Sequence, residues 1–149
     1  MKKVILMLTV IFVGGTVFAQ KVSESDVPAA VKTKFSSLYP NAKVEEWKKD
    51  NGNYKAEFDE NKTETCVIIN PKGDLVKTKT EIEATELPAA ANEYLAKKYA
   101  GKKITECHKM TDANGIVTYK AEVGEMHVIF DSNGAFVKEG TEKDMKNKK

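Results

Sequence analysis

The chain states its fold nearly twice. Asp26-Val27-Pro28-Ala29-Ala30 returns as Glu86-Leu87-Pro88-Ala89-Ala90, and Tyr54-Lys55-Ala56-Glu57 returns unchanged as Tyr119-Lys120-Ala121-Glu122. Asn70-Pro71-Lys72-Gly73-Asp74-Leu75-Val76-Lys77 is echoed by Asp131-Ser132-Asn133-Gly134-Ala135-Phe136-Val137-Lys138. A duplication limits the architecture to one supersecondary unit built twice, and each copy checks the other.

Each copy opens with a helix. Ser25 and Thr85, or the acidic residues that follow them, can cap the first turn. Pro28 and Pro88 stand where a fixed φ helps and a missing N–H costs nothing. Val31, Phe35 and Leu38 recur at helical spacing, as do Ala91, Tyr94, Leu95 and Tyr99. Pro40 and Gly101 close the two helices.

Four strands then follow in each copy. They are predicted at 43–49, 53–59, 63–70 and 74–80, and again at 103–110, 117–123, 126–131 and 135–140. Asn51-Gly52, Asn114-Gly115 and Asn133-Gly134 are hairpin dipeptides that tolerate positive φ. Tyr54, Ala56 and Phe58 alternate with charged residues, so they share one face; Tyr119, Ala121 and Val123 repeat them. Thr65, Val67 and Ile69 correspond to Met126, Val128 and Phe130. The fold class is therefore α+β: two tandem α-β-β-β-β repeats (about 25–80 and 85–140) forming one antiparallel sheet of about eight strands. Helices pack on one face and the other is open.

Residues 1–19 read as a signal peptide. Lys2 and Lys3 precede an apolar run of about fifteen residues, short of the roughly 20 that span a bilayer. Val17-Phe18-Ala19 places cleavage between Ala19 and Gln20, so export to the periplasm or beyond is expected. No Cys follows the run, and no membrane span remains after cleavage. The rest, 20–149, is one domain ending in a basic tail at 141–149. Of 24 basic residues, Lys2 and Lys3 fall in the leader, leaving 22 against 22 acidic ones. All are Lys. A neutral chain without Arg lacks the footprint of a nucleic-acid binder.

The helix openings, Trp47 before Asn51-Gly52, Tyr54-Lys55-Ala56-Glu57-Phe58, and the strand-turn segments ending at Gly73 and Gly134 together resemble the exported PepSY-like proteins of Gram-negative bacteria. That family is similar in fold to the β-lactamase inhibitor protein. The resemblance spans 26–140. It implies a periplasmic domain and protein binding or inhibition through the open sheet, and it carries over no catalytic residue.

If Val44 and Ile104 point inward, strict alternation turns Trp47 and Cys107 outward. The open face would then carry Trp47, Cys66, Ile68, Cys107, His127 and Ile129, an apolar patch with a polar rim of the kind that binds protein. The alternative is that Trp47 lies over lysine stems and the Ile residues only support the strands. Cys66 and Cys107 invite a disulfide, but in a simple meander they sit two strand spacings apart, roughly 9–10 Å, where a disulfide needs about 7 Å or less between Cα atoms. Cys66, Cys107, His108 and His127 are potential metal ligands, of which at most three converge, because Cys107 and His108 are neighbours on one strand. No metal and no cofactor is expected. No G-x-S-x-G, H-E-x-x-H or phosphate loop is present, and no catalytic residue is assigned. The expectation is a non-enzymatic binding module for an exported protein, with a small-ligand, peptide or envelope-stress sensor as the second reading and a paired-carboxylate hydrolase as a third.

Overall fold

A computed structural model describes residues 20–147; the signal-peptide reading lies outside them. Within them, nine strands form one antiparallel sheet in strict sequence order. They are β1 (Gln20–Val22), β2 (Glu46–Asp50), β3 (Asn53–Glu60), β4 (Thr63–Ile69), β5 (Leu75–Ile82), β6 (Ile104–Asp112), β7 (Val117–Val123), β8 (Met126–Asp131) and β9 (Phe136–Thr141). Helices α1 (Ala29–Leu38) and α2 (Ala89–Lys98) precede β2 and β6, and α3 (Glu142–Asn147) ends the described chain. The repeat is as expected. The ninth strand is β1, which pairs with β2 by setting Val22 opposite Trp47.

Two cores lie under the two helices. Val31 and Phe35 of α1 pack on Tyr54, Ala56, Phe58, Val67 and Ile69. Ala91 and Leu95 of α2 pack on Ala121, Val123, Val128 and Phe130. These are the inward sets that strand alternation predicts. The helices start differently from expectation. Ser25 and Thr85 lie in short 3-10 turns, Glu24–Asp26 and Ala84–Glu86, and Pro28 and Pro88 themselves hold the N-cap positions without a side-chain cap.

The duplicated motifs touch one another. Gly73 and Gly134 end the β4–β5 and β8–β9 turns at φ +91° and +84°. A Cβ on Gly73 would come within 2.9 Å of the Ala30 carbonyl, and one on Gly134 within 2.7 Å of Pro88 Cβ and 2.9 Å of the Ala91 nitrogen. The Asn70 and Asp131 side chains brace these turns by accepting two backbone N–H bonds each, at 2.8–3.0 Å. A glycine turn docked on a proline-alanine helix opening thus locks each helix to its own strands.

Trp47 and Cys107 do not face outward. Trp47 is 6% exposed and meets Phe35 edge-on at 5.8 Å, and Cys107 belongs to the core under α2. The reason is a bulge. The β6–β7 register shifts between Ile104 and Glu106, and the Glu45 N–H donates to the carbonyl of Glu57, the residue that also stands opposite Glu46. One extra residue reverses the alternation, so Val44 and Trp47 both pack against the same core. Both cysteines are free and buried. Cys66 lies on the open face and Cys107 on the helix face, which rules out the bond between them.

In the terminal segment, Glu142–Asn147 form α3. Thr141 and Asp144 cap α3 reciprocally, with Asp144 Oδ2 accepting from the Thr141 N–H at 3.0 Å and from its hydroxyl at 2.7 Å. α3 folds back onto the open face. Gly140 permits this, since a Cβ there would lie 2.9 Å from Asp144 Cβ.

Candidate functional site

The open face is a lattice of cross-strand rows. In the first repeat Glu46, Glu57, Cys66 and Lys79 stand opposite one another across β2–β5, and Lys48, Lys55, Ile68 and Lys77 form the next row. In the second repeat the matching rows are Glu106, Glu122, His127 and Gly140, then His108, Lys120, Ile129 and Lys138.

In the first-repeat lattice the two carboxylates are held by lysines. Lys48 Nζ sits 2.7 Å from both Glu46 Oε2 and Glu57 Oε2, and Lys55 takes Glu57 Oε1 at 2.6 Å. Hydrogen bonds from Lys48 and Lys21 hold Glu46 at about 2, and the two carboxylates raise Lys48 to about 12. Burial opposes the ionisation of Glu57, but Lys48 and Lys55 outweigh it and keep its pKa low. Cys66 and Ile68 are on this face, as alternation predicts, yet both are buried. Each stands between charged strand neighbours, Glu57 and Lys79 for Cys66, Lys55 and Lys77 for Ile68. Lysine stems cover such positions, so neither offers a free apolar contact. Burial raises the Cys66 thiol pKa, which keeps it protonated.

The second-repeat lattice differs in chemistry. Lys120 pairs with Glu122 Oε1 as Lys55 does with Glu57. In place of Lys48 stands His108, 4% exposed, with Nε2 at 2.6 Å from Glu106 Oε1 and Nδ1 without a partner. Burial, then the Lys79 and Lys120 charges, push His108 down to about 3, so it is neutral. Burial and the facing Glu122 carboxylate raise Glu106. Glu122 is lowered despite its burial, chiefly by the Lys120 hydrogen bond. Ligand atoms of Glu106, His108 and Glu122 all lie within 4.8 Å of one another, and His127 Nε2 is 3.7 Å from Glu122 Oε1.

Beside this cluster the sheet and α3 enclose a concavity of about 430 Å³. Its apolar surface comes from Met110, Ile116, Ile129, Val137 and Met145, and Lys77, Lys120 and Lys138 stand around it. Ile116 and Val137 are 60% and 53% exposed. Of the six residues expected on a binding face, His127 and Ile129 line this concavity, Cys66 and Ile68 lie covered at the other end, and Trp47 and Cys107 belong to the cores. Alternation places Glu122 on this face beside Lys120, but it does not point to Glu106, Ile116, Val137 or Met145. The one available signal is Glu106-x-His108, on alternate positions of a strand.

The fold and this face define an α+β module: a duplicated helix-and-meander whose far sheet surface is charged and locally concave. The chain belongs to the PepSY-like family, described as beta-lactamase-inhibitor-like, whose pattern matches residues 17–77 and 69–138. Solved structures agree in fold. A periplasmic protein of Bacteroides eggerthii is 21% identical at TM-score 0.72, covering 77% of this chain and 88% of that one. A DUF2874 family protein of Bacteroides uniformis is 23% identical at TM-score 0.71, covering 76% and 88%. A BLIP-like protein of Bacteroides fragilis is 20% identical at TM-score 0.63, covering 77% and 86%. No curated protein matches the chain. Among the described residues no helix is long and apolar enough to cross a membrane.

Proposed function

We propose that this protein is an exported, non-enzymatic binding module that captures another exported protein on the open face of its sheet, at the second repeat. The observation that carries the reading is the concavity itself. Ile116 and Val137 are apolar side chains held in water on a face where the first repeat covers its apolar residues with lysine stems. An apolar hollow with Lys77, Lys120 and Lys138 around it, against the one acid Asp112, suits a protruding apolar side chain flanked by acidic ones. The family description points to an inhibitor-like version, in which the module occludes a partner enzyme. Periplasmic placement follows the leader at 1–19 and the description of the Bacteroides eggerthii relative. A non-enzymatic role is supported by the state of the nucleophiles, since both thiols are buried with raised pKa values.

A photo-crosslinking residue placed at Val137 in exporting cells should yield one adduct of defined mass, and one at Ser36 on α1 should yield none. With the crosslinking residue moved to Lys138, which also lines the hollow, Ile116→Lys with Val137→Lys should remove the adduct without lowering the melting temperature. Adducts from Ser36, or none from Val137, would overturn the reading. The volume of the hollow, about 430 Å³, also falls within the range of small-molecule sites. That second reading predicts a co-purifying small ligand, lost in the same double variant, and no protein adduct.

A further inference from the structure

The two repeats solve one electrostatic problem differently, and the difference points to a ligand. In the first, two carboxylates on neighbouring strands, Glu46 and Glu57, are bridged by an internal cation: the Lys48 ammonium lies 2.7 Å from an oxygen of each. Lys55 occupies the other oxygen of Glu57. In the second, Glu106 and Glu122 face each other in the same register and Lys120 takes the same oxygen of Glu122. The bridging lysine is gone. His108 stands in its place, and the residue equivalent to Cys66 is His127, directly opposite Glu122. These are the only two histidines in the chain. Both have been placed around one pair of carboxylates.

We propose that Glu106, His108, Glu122 and His127 bind a divalent transition-metal ion of the zinc type, which takes the position that the Lys48 ammonium holds in the first repeat. The site stands whatever binds the neighbouring hollow. The ligand atoms of Glu106, His108 and Glu122 lie within 4.8 Å of one another, and His127 Nε2 is 3.7 Å from Glu122. A tetrahedral zinc with bonds of about 2.0–2.2 Å needs ligand atoms about 3.3–3.6 Å apart, a change side-chain rotation can supply. The buried His108 ring presents Nε2 to the carboxylate pair, 2.6 Å from Glu106 Oε1, so this nitrogen already lies where a ligand to a shared ion must lie. Two imidazoles with two carboxylates favour zinc over calcium, which takes six to eight oxygens. A path exists, because the Glu106 side chain is partly exposed.

The test is calorimetric titration of the chelator-stripped protein with zinc chloride, with cobalt(II) as a spectroscopic probe. One ion per chain, a melting temperature raised by several degrees, and visible d–d bands of a four-coordinate cobalt site are expected. His108→Lys restores the first-repeat arrangement; it should weaken zinc binding by about 100-fold or more while preserving the melting temperature in chelator. Glu106→Gln and His127→Ala, both at partly exposed positions, should each weaken binding in the same sense if His108→Lys fails to fold. Cys66→Ser should bind like the parent. No heat with zinc, binding undiminished in Glu106→Gln and His127→Ala, or binding lost in Cys66→Ser would each overturn the proposal. Calcium binding in place of zinc would overturn the assigned metal class.

Discussion

Trp47 shows how much depends on one residue of register. Read by strict alternation it is the anchor of an exposed patch; in the structure it is the lid of the first core, against Phe35 and opposite Ala56. The duplication then gains a different meaning. Where the first repeat has Phe35, Trp47 and Phe58, the second has Leu95, Cys107 and Val123, so the divergence between copies at these positions is a change of packing volume. Trp47→Ala should therefore cost about 3–5 kcal/mol, the range for large aromatic truncations in cores, as measured by urea denaturation. A cost under about 1 kcal/mol would return Trp47 to the surface. Cys107 carries a second prediction. Burial, then Glu106, push its thiol up to about 11, so native protein at pH 8 should resist alkylation at Cys107 and react fully once unfolded. A folded-state pKa above the unfolded value of about 9 keeps stability intact below pH 9 and removes it as pH rises toward 11. Cys107→Ala should flatten that alkaline loss in melting curves taken between pH 8 and 10.5.

Among the elements, those whose periodicity is local were legible. The inward sets of β3, β4, β7 and β8 follow from period-2 alternation between clear turns, and α1 and α2 follow from helical spacing between a proline opening and a Pro or Gly stop. The elements that escaped have short or interrupted patterns. β1 is three residues long and has no alternation to read, whereas α3 is polar and signalled only by Thr141-x-x-Asp144. β2 and β6 are legible as strands, but their bulges are backbone events with no side-chain signature, and alternation assigns both candidate residues on those strands to the wrong face. The site suffers accordingly, because its carboxylate-histidine cluster depends on which residues stand opposite after the bulge. The turns supply a sharper test. Gly134 and Gly115 have similar positive φ, +84° and +79°, but only Gly134 lies against a helix, whereas nothing stands within 4 Å of a Cβ at Gly115. Gly115→Ala should cost about 1–2 kcal/mol, from backbone conformation alone. Gly134→Ala adds a clash with Pro88 and the Ala91 backbone, and should cost at least about 1 kcal/mol more in paired denaturation experiments. Equal losses would mean that the turn is not seated on α2.

At the scale of the whole molecule, one continuous sheet joins two cores that share no residue. The β5–β6 ladder, from Lys77 opposite Asp112 to Ile82 opposite Cys107, is the seam. In repeat architectures of this kind, stability divides between what each unit contributes by itself and what the interface between neighbours adds. Weakening one unit should then separate its unfolding from that of the other, as long as the seam stabilises the pair by less than the units stabilise themselves. The single Trp makes this measurable, because Trp47 sits wholly within the first core. Leu95→Ala removes a buried side chain from the second core at a cost of about 2–5 kcal/mol. In that variant the far-ultraviolet circular dichroism should begin to fall before the Trp47 emission shifts. Hydrogen exchange should quicken in β7 and β8 while β3 and β4 stay protected. Trp47→Ala should reverse the order of exchange. Coincident transitions in Leu95→Ala, with exchange accelerated evenly across all four strands, would show instead that the β5–β6 seam dominates and that the duplication folds as one cooperative unit.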